Sequence, residues 1–158
     1  MSRKLSVYLD TTIPSYYYDE RPELKLHRDI TRRWWDEEKS HYDVYISGIV
    51  LTELNRGNYP HKADVLQLVD ELPILKAPDD IDNFVQVYVE QNVMPSRDLG
   101  DAFHLVMASY HKIDFLLTWN CKNLANAGKY NLIRLVNMQL DLFVPQIVTP
   151  EQLFERGE

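Results

Sequence analysis

Cysteine is almost absent from this chain: Cys121 is the one thiol in 158 residues. A lone thiol excludes an intrachain disulfide framework and fits a reducing compartment, so a cytoplasmic protein is expected. No apolar run approaches the ~18 residues of a spanning helix, and no membrane partner is expected. The opening MSRKLSVYLD reaches a charged residue too soon for a signal peptide. Neither GxGxxG nor GxxxxGK(S/T) occurs, which leaves dinucleotide binding and nucleoside-triphosphate hydrolysis of those kinds without support. His27, His41, His61, His104 and His111 lack zinc-ligand spacing, and Cys121 has no neighbouring base to make it a nucleophile. Positive charge is also scarce, with 17 Lys and Arg against 24 Asp and Glu and a net charge of −7. A generic duplex-binding protein is more often basic. Metal-ligating acids would account for part of the excess, and a basic protein partner is equally compatible with it. Repeats, low-complexity segments and Gly/Ser linkers are missing too. One globular domain over residues 1–158 is expected, with 45% hydrophobic and 26% charged residues.

What is present alternates between strand and helix patterns. LSVYL, DVYIS (43–47), PILKA (73–77), DFLLTW (114–119) and 146–148 read as strands. Pro14 introduces a short helix. Residues 22–39, 48–56, 60–71 and 80–92, a segment opening at Asp98 or Asp101, and 128–141 read as helices. The segment after Asn120 reads as a polar connection with one helical turn, and 151–158 as a tail with another. This alternation predicts an α/β fold with a mostly parallel sheet between helical layers. Ligands in such sheets sit at the carboxyl ends of the strands.

Four polar residues break into apolar stretches: Asp10 after LSVYL, Glu53 in SGIVLTEL, Asp101 in DLGDAFHLVMA and Asn120 after DFLLTW. Each has a local explanation. Asp10 fits an N-cap or Asx-turn, a duty Thr11 or Thr12 could take over. Glu53 fits a helix surface, with Ser47 at the preceding strand end able to bond it. Asp101 fits the favourable end of a helix dipole, with Asp98 one turn earlier able to share that duty. Asn120 fits a turn. Each also fits a hard oxygen site for Mg²⁺ or Mn²⁺ if the four converge, because buried carboxylates need partners or a cation. Such clusters serve metal-dependent phosphoryl-transfer enzymes.

In order and spacing, VYLDTTIPSYY, SGIVLTELNRG and DLGDAFHLVMASYHKIDFLLTWNCKNLAN resemble the motifs of PIN domains. The resemblance is specifically to the VapC-like ribonuclease toxins of type II toxin–antitoxin pairs, and it covers nearly the whole chain. It implies a three-layer α/β/α sandwich with a central, mostly parallel sheet. It further implies a Mg²⁺- or Mn²⁺-dependent endoribonuclease, a homodimer, and a cognate antitoxin partner. Carried over, it makes Asp10, Glu53 and Asp101 the metal-binding acids and gives Thr118 a supporting hydroxyl. Asn120 stands where many relatives have a fourth acid, and Asp98 has no certain counterpart. The catalytic set is then Asp10, Glu53, Asp101 and Asn120, with Thr11, Ser47, Asp98 and Thr118 in support. The neutral fourth member leaves a second expectation open: a PIN-fold module that binds RNA or protein with weakened or lost chemistry.

For substrate contact, Lys122 and Trp119 beside Asn120 are the candidates, one for RNA phosphate and the other for base stacking. Arg32, Arg33, Arg56 and Lys129 are further phosphate candidates against an ordinary solvated role. His104, three residues after Asp101, reads as a core or half-buried histidine rather than a base.

Overall fold

A computed structural model describes residues 3–155. Its sheet is built from β1 (Ser6–Leu9), β2 (Asp43–Ser47), β3 (Ile74–Leu75), β4 (Phe115–Leu117) and β5 (Gln146–Val148). Their order across the sheet is β3-β2-β1-β4-β5, with every neighbouring pair parallel. Helices cover both faces, giving a three-layer α/β/α sandwich. A parallel strand covered on both faces must be apolar throughout. Accordingly Val7, Tyr8 and Leu9 of the central strand are fully buried, as are Leu116 and Leu117 of β4.

The register sets the site. Val7 lies opposite both Val44 and Phe115, and Leu9 lies opposite Leu117. The ladder continues one residue further, with Asp10 N–H donating to Leu117 C=O at 3.2 Å. The chain winds outward through β2 and β3 on one side of β1 and through β4 and β5 on the other. The order therefore reverses between β1 and β4, and a crevice opens at their carboxyl ends.

The helices are α1 (Thr12–Tyr17), α2 (Lys25–Arg33), α3 (Gly48–Asn55), α4 (Lys62–Leu68), α5 (Ile81–Glu90), α6 (Leu99–Tyr110) and α7 (Ala127–Gln139). Helix α6 is buried on most sides, through Ala102, Leu105, Val106, Met107 and Ala108, and it carries Asp101 and His104. Helix α7 starts at Asn126, whose side chain accepts the Gly128 N–H at 2.9 Å. No helix among the described residues is long and apolar enough to cross a membrane.

Several expected boundaries move. The helix expected over 22–39 is a 3₁₀ turn (Pro22–Leu24), then α2, a π turn (Trp34–Glu38) and another 3₁₀ turn (Lys39–His41). The π turn begins at the adjacent tryptophans. Trp34 is fully buried and Trp35 packs partly against the core, so both indoles are drawn to the protein side. The polar connection after Asn120 holds one turn of the α type, closed by Leu124 N–H on Asn120 C=O at 3.2 Å, and does not continue as a helix. The tail forms a 3₁₀ turn over Pro150–Leu153, and residues 156–158 of that expectation lie outside the described residues.

Candidate functional site

Two threonines stitch the ends of β1 and β4 around Asp10, which is 1% exposed. Thr12 donates to Asp10 Oδ1 from its backbone N–H at 3.0 Å and from its hydroxyl at 2.5 Å. The Thr12 hydroxyl in turn accepts the Trp119 N–H at 2.9 Å. From the other strand the Thr118 hydroxyl donates to Asp10 Oδ2 and accepts the Asn120 N–H at 2.8 Å. The Asx-turn reading of Asp10 thus holds for one oxygen. Thr11 and Thr12 do not cap α1: the Thr12 hydroxyl goes to Asp10 and the Thr11 hydroxyl to Glu53. Burial pushes the Asp10 carboxyl up, against the opposing pull of His104 and of both hydroxyls.

Glu53 projects from α3 into a second set of partners. Its Oε1 receives the Thr11 hydroxyl and lies 2.7 Å from His104 Nε2. His104 is 2% exposed, and its Nδ1 lies 2.7 Å from the Tyr8 hydroxyl, which in turn lies 2.7 Å from Ser47 Oγ. One consistent assignment has Ser47 donating to Tyr8, Tyr8 to Nδ1, and Nε2–H to Glu53. Burial raises the Glu53 carboxyl, but His104 and Thr11 outweigh it, and the net shift is downward. Ser47, expected to cap α3 or bond a carboxylate, makes no side-chain cap bond and reaches Glu53 only through Tyr8 and His104.

Asp101, on the first turn of α6, faces two amides. Its Oδ2 accepts Asn120 Nδ2 at 2.7 Å and Asn123 Nδ2 at 3.1 Å. Asn120 is itself clamped, because its Oδ1 accepts the backbone N–H groups of Lys122 at 3.1 Å and Asn123 at 3.0 Å. The amide therefore presents its nitrogen to the acids and its oxygen to the loop. Asp98 occupies the N-cap position of α6 without a side-chain cap bond, and its Oδ2 accepts Asn123 Nδ2 at 3.0 Å. Burial pushes the Asp101 carboxyl up, eased by Asn123 and His104.

The donor set has the composition for a hard divalent ion. Asp101 Oδ1 and Glu53 Oε2 take no hydrogen bond among the described residues, and Asp10 Oδ2 takes one. The arrangement is another matter: among the described residues, no three His, Cys, Asp or Glu side chains are grouped to hold a metal ion. Asn120 could offer its oxygen only by giving up two backbone hydrogen bonds.

Of the substrate candidates, Lys122 is exposed. Trp119 is 8% exposed, donates Nε1–H to Thr31 at 2.7 Å, and packs its ring against Tyr16 and His27. Its faces are thus taken up by protein contacts. Sequence reasoning missed the roles of Tyr8, His104 and Asn123. His104 had a detectable signal, one turn after Asp101 on the same helix face.

A PIN domain family model matches residues 7–122. Among solved structures, the chain is similar to VapBC2 from Rickettsia felis bound to a DNA fragment from their promoter, with a TM-score of 0.58 and 15% identity over 92% of this chain and 98% of that one. It is also similar to FitAcB from Neisseria gonorrhoeae, with a TM-score of 0.55 and 16% identity over 93% and 99% of the two chains. At these identities the likeness is one of fold. No curated protein matches the sequence significantly.

Proposed function

The chain belongs to the PIN-domain family, and from that premise we propose that it is an RNA-binding protein of this fold whose metal-dependent hydrolytic site is weakened. Asn120 carries this reading. A fourth carboxylate at its place would repel Asp101 and call for a cation between them. The amide instead donates a hydrogen bond to Asp101 at 2.7 Å and so satisfies that acid within the protein. Glu53 is likewise answered by His104 and Thr11, and Asp10 by Thr12 and Thr118. Each acid thus has a protein partner for at least one oxygen, which lowers the gain from binding an ion.

A Mg²⁺ or Mn²⁺ ion would be held by Asp10, Glu53 and Asp101, directly or through water. When bound, it supplies Lewis-acid polarisation of a phosphate oxygen and a more acidic water. The chain's own part is positioning. Thr118 and Thr12 fix the Asp10 carboxylate, His104 and Thr11 turn Glu53, and Asn120 and Asn123 orient Asp101. A protein partner of the antitoxin kind, a homodimer and a cytoplasmic setting accompany this reading. The first draws support from the fold likeness to VapBC2.

A second reading is a fully competent Mg²⁺- or Mn²⁺-dependent endoribonuclease acting as a toxin. The oxygens of Glu53 and Asp101 that take no hydrogen bond favour it, since they remain available to an ion. Incubation of a mixed RNA pool with Mg²⁺, Mn²⁺ or EDTA separates the two, with wild type, Asp10→Asn and Asn120→Asp compared. The proposed function expects RNA binding with slow, metal-dependent cutting that Asn120→Asp accelerates by about tenfold or more, the scale on which ligand-orienting partners act. Rapid cutting by wild type that Asn120→Asp does not improve supports the second reading. Cutting in EDTA, or undiminished cutting by Asp10→Asn, overturns both.

A further inference from the structure

Tyr8 puts a hydroxyl in the middle of an apolar strand. It stands in β1 between Val7 and Leu9 and is fully buried. Its ring packs on that of His104, with centroids 5.7 Å apart. Its hydroxyl lies 2.7 Å from Ser47 Oγ and 2.7 Å from His104 Nδ1, and burial pushes its pKa up, so it keeps its proton. Phenylalanine would fill the same space without burying a polar atom. The hydroxyl touches no acid, yet a single imidazole separates it from Glu53.

The protons around that imidazole can be counted. Tyr8 and Ser47 each carry one hydroxyl proton, and both are buried from solvent. Among the described residues, the side-chain partners of this pair are each other and Nδ1. Two protons therefore need two acceptors, which are the Tyr8 oxygen and Nδ1. A proton on Nδ1 would strand one hydroxyl as a buried, unpaired donor. On the far side of the ring, Nε2 faces Glu53 Oε1 at 2.7 Å and Thr11 Oγ1 at 3.4 Å. The Thr11 proton goes to Glu53, so both oxygens accept from Nε2–H. Both counts give the same arrangement. With Oε1 held by His104 and Thr11, Oε2 lies where a Cβ on Gly100, the residue before Asp101, would stand. Resting on the metal site proposed above, we propose that Tyr8 is a positioning residue: by donating to Nδ1 it fixes the His104 ring with Nε2–H on Glu53 Oε1, and so holds Glu53 with Oε2 free for the ion. Without the hydroxyl, Nδ1 loses its donor and the ring is held at one end only. A purely structural Tyr8 would support the core and leave His104 and Glu53 as they are.

The test compares wild type, Tyr8→Phe, His104→Leu, their double variant and a control, Tyr88→Phe. Tyr88 is equally buried, and its hydroxyl donates to Asn137 of α7 at 2.5 Å, so the control removes a buried hydroxyl that does not serve the site. Circular dichroism confirms the fold of each. Nitrogen NMR of isotope-labelled histidine side chains in EDTA reads the ring, and calorimetric titration with Mn²⁺ reads the site. The signals that His104→Leu removes assign His104. Wild type should show Nε2 protonated and Nδ1 bare, with a slowly exchanging Nε2–H. Tyr8→Phe should broaden that proton signal and weaken Mn²⁺ binding by about tenfold, the scale of a lost ligand-orienting partner. In the His104→Leu background Tyr8→Phe should weaken Mn²⁺ binding no further, because the connection is already cut. Tyr88→Phe should match wild type in both readouts. A wild-type ring protonated on Nδ1 overturns the proposal without any variant. So does a loss in Tyr8→Phe that adds in full to that of His104→Leu, or one that Tyr88→Phe reproduces. Unchanged Mn²⁺ binding by Tyr8→Phe overturns the positioning role and leaves the metal site standing. A wild type that binds no Mn²⁺ overturns the role together with the site beneath it.

Discussion

Asn120→Asp converts an internal hydrogen bond into a demand for a cation, and its size can be worked from the contacts. Asn120 Nδ2 donates to Asp101 Oδ2 at 2.7 Å, a hydrogen bond to a charged group worth about 1.5–3 kcal/mol. Asp101 is only partly buried, so the lower figure applies. Two carboxylates ~4 Å apart at an effective dielectric near 20 repel by up to about 4 kcal/mol, and solvent at this half-open edge cuts that to about 1–2 kcal/mol. The new Asp keeps an oxygen for the Lys122 and Asn123 N–H groups, so the loop is preserved. The net loss of about 2.5–3.5 kcal/mol lowers Tm by roughly 5–14 °C for a domain of this size. Mn²⁺ at about a hundred times its Kd returns about 2.7 kcal/mol, most of the deficit. The assay is thermal unfolding of both proteins in EDTA and across a Mn²⁺ titration. A variant as stable as wild type in EDTA would refute the reasoning. So would a wild type that Mn²⁺ stabilises as strongly as the variant.

Gly100 bears on the same site, since a Cβ there would press into Glu53 Oε2. Gly100→Ala should therefore leave stability within about 1 kcal/mol, the helix-propensity gain offsetting a moved side chain. The Mn²⁺ response should fall by about tenfold or more as Glu53 is displaced, and an unchanged response would sink this positioning role. In the core, fully buried Asn137 accepts the Tyr88 hydroxyl at 2.5 Å and donates to Ser109 at 3.0 Å and Phe143 C=O at 2.9 Å. Asn137→Leu strands three polar groups and should cost about 3 kcal/mol or more in urea unfolding; a loss under about 1 kcal/mol would contradict it. Asp114 lies at the opposite, amino-terminal end of the strands, just before β4. Hydrogen bonds from Arg3, and further ones from Ser6, hold its carboxyl below the usual range. A depressed folded-state pKa stabilises above the unfolded value of about 4 and loses that stabilisation as pH falls. Asp114→Asn should lower the urea midpoint near pH 7 and flatten its decline toward about pH 3; parallel acid limbs for the two proteins would exclude the linkage.

The fold was readable where local and global requirements coincide. The centres of LSVYL and DFLLTW, Val7–Leu9 and Leu116–Leu117, are apolar because each strand is covered on both faces and paired on both sides, a requirement written into each of those residues. That made the alternation with helices, and the placement of Asp10 and Asn120 just past strand ends, accessible from pattern alone. The segment 22–39 was not readable in the same way. Its composition favours one continuous helix, yet burying Trp34 against Tyr42 at 6.2 Å, beside Trp35, imposes a π turn that only the packed core can select. The two-residue β3 is short for a related reason: it pairs with β2 alone, and Ile74 is 57% exposed, so little burial extends it.

At the site, residue identities were legible and their pairings were not. Carboxylates interrupting apolar runs announce themselves, because each must be answered by something. What answers them comes from far along the chain. Glu53 is met by His104 and Thr11, and Asp101 by an amide nineteen residues on, with Asn123 three further. Spacing carries no trace of these contacts, because the packing of α3 and α6 and the loop after β4 around the β1–β4 crevice creates them. The distinction matters for function. Read as a list, Asp10, Glu53, Asp101 and Asn120 are a nuclease site short of one ligand. Read as a network, they are three acids that the protein has largely satisfied by itself. A site of the first kind gains stability when an ion arrives, whereas one of the second kind must first give up contacts. Removing the amide that satisfies Asp101 should therefore restore the demand for an ion, and the missing fourth charge becomes a measurable determinant of metal affinity.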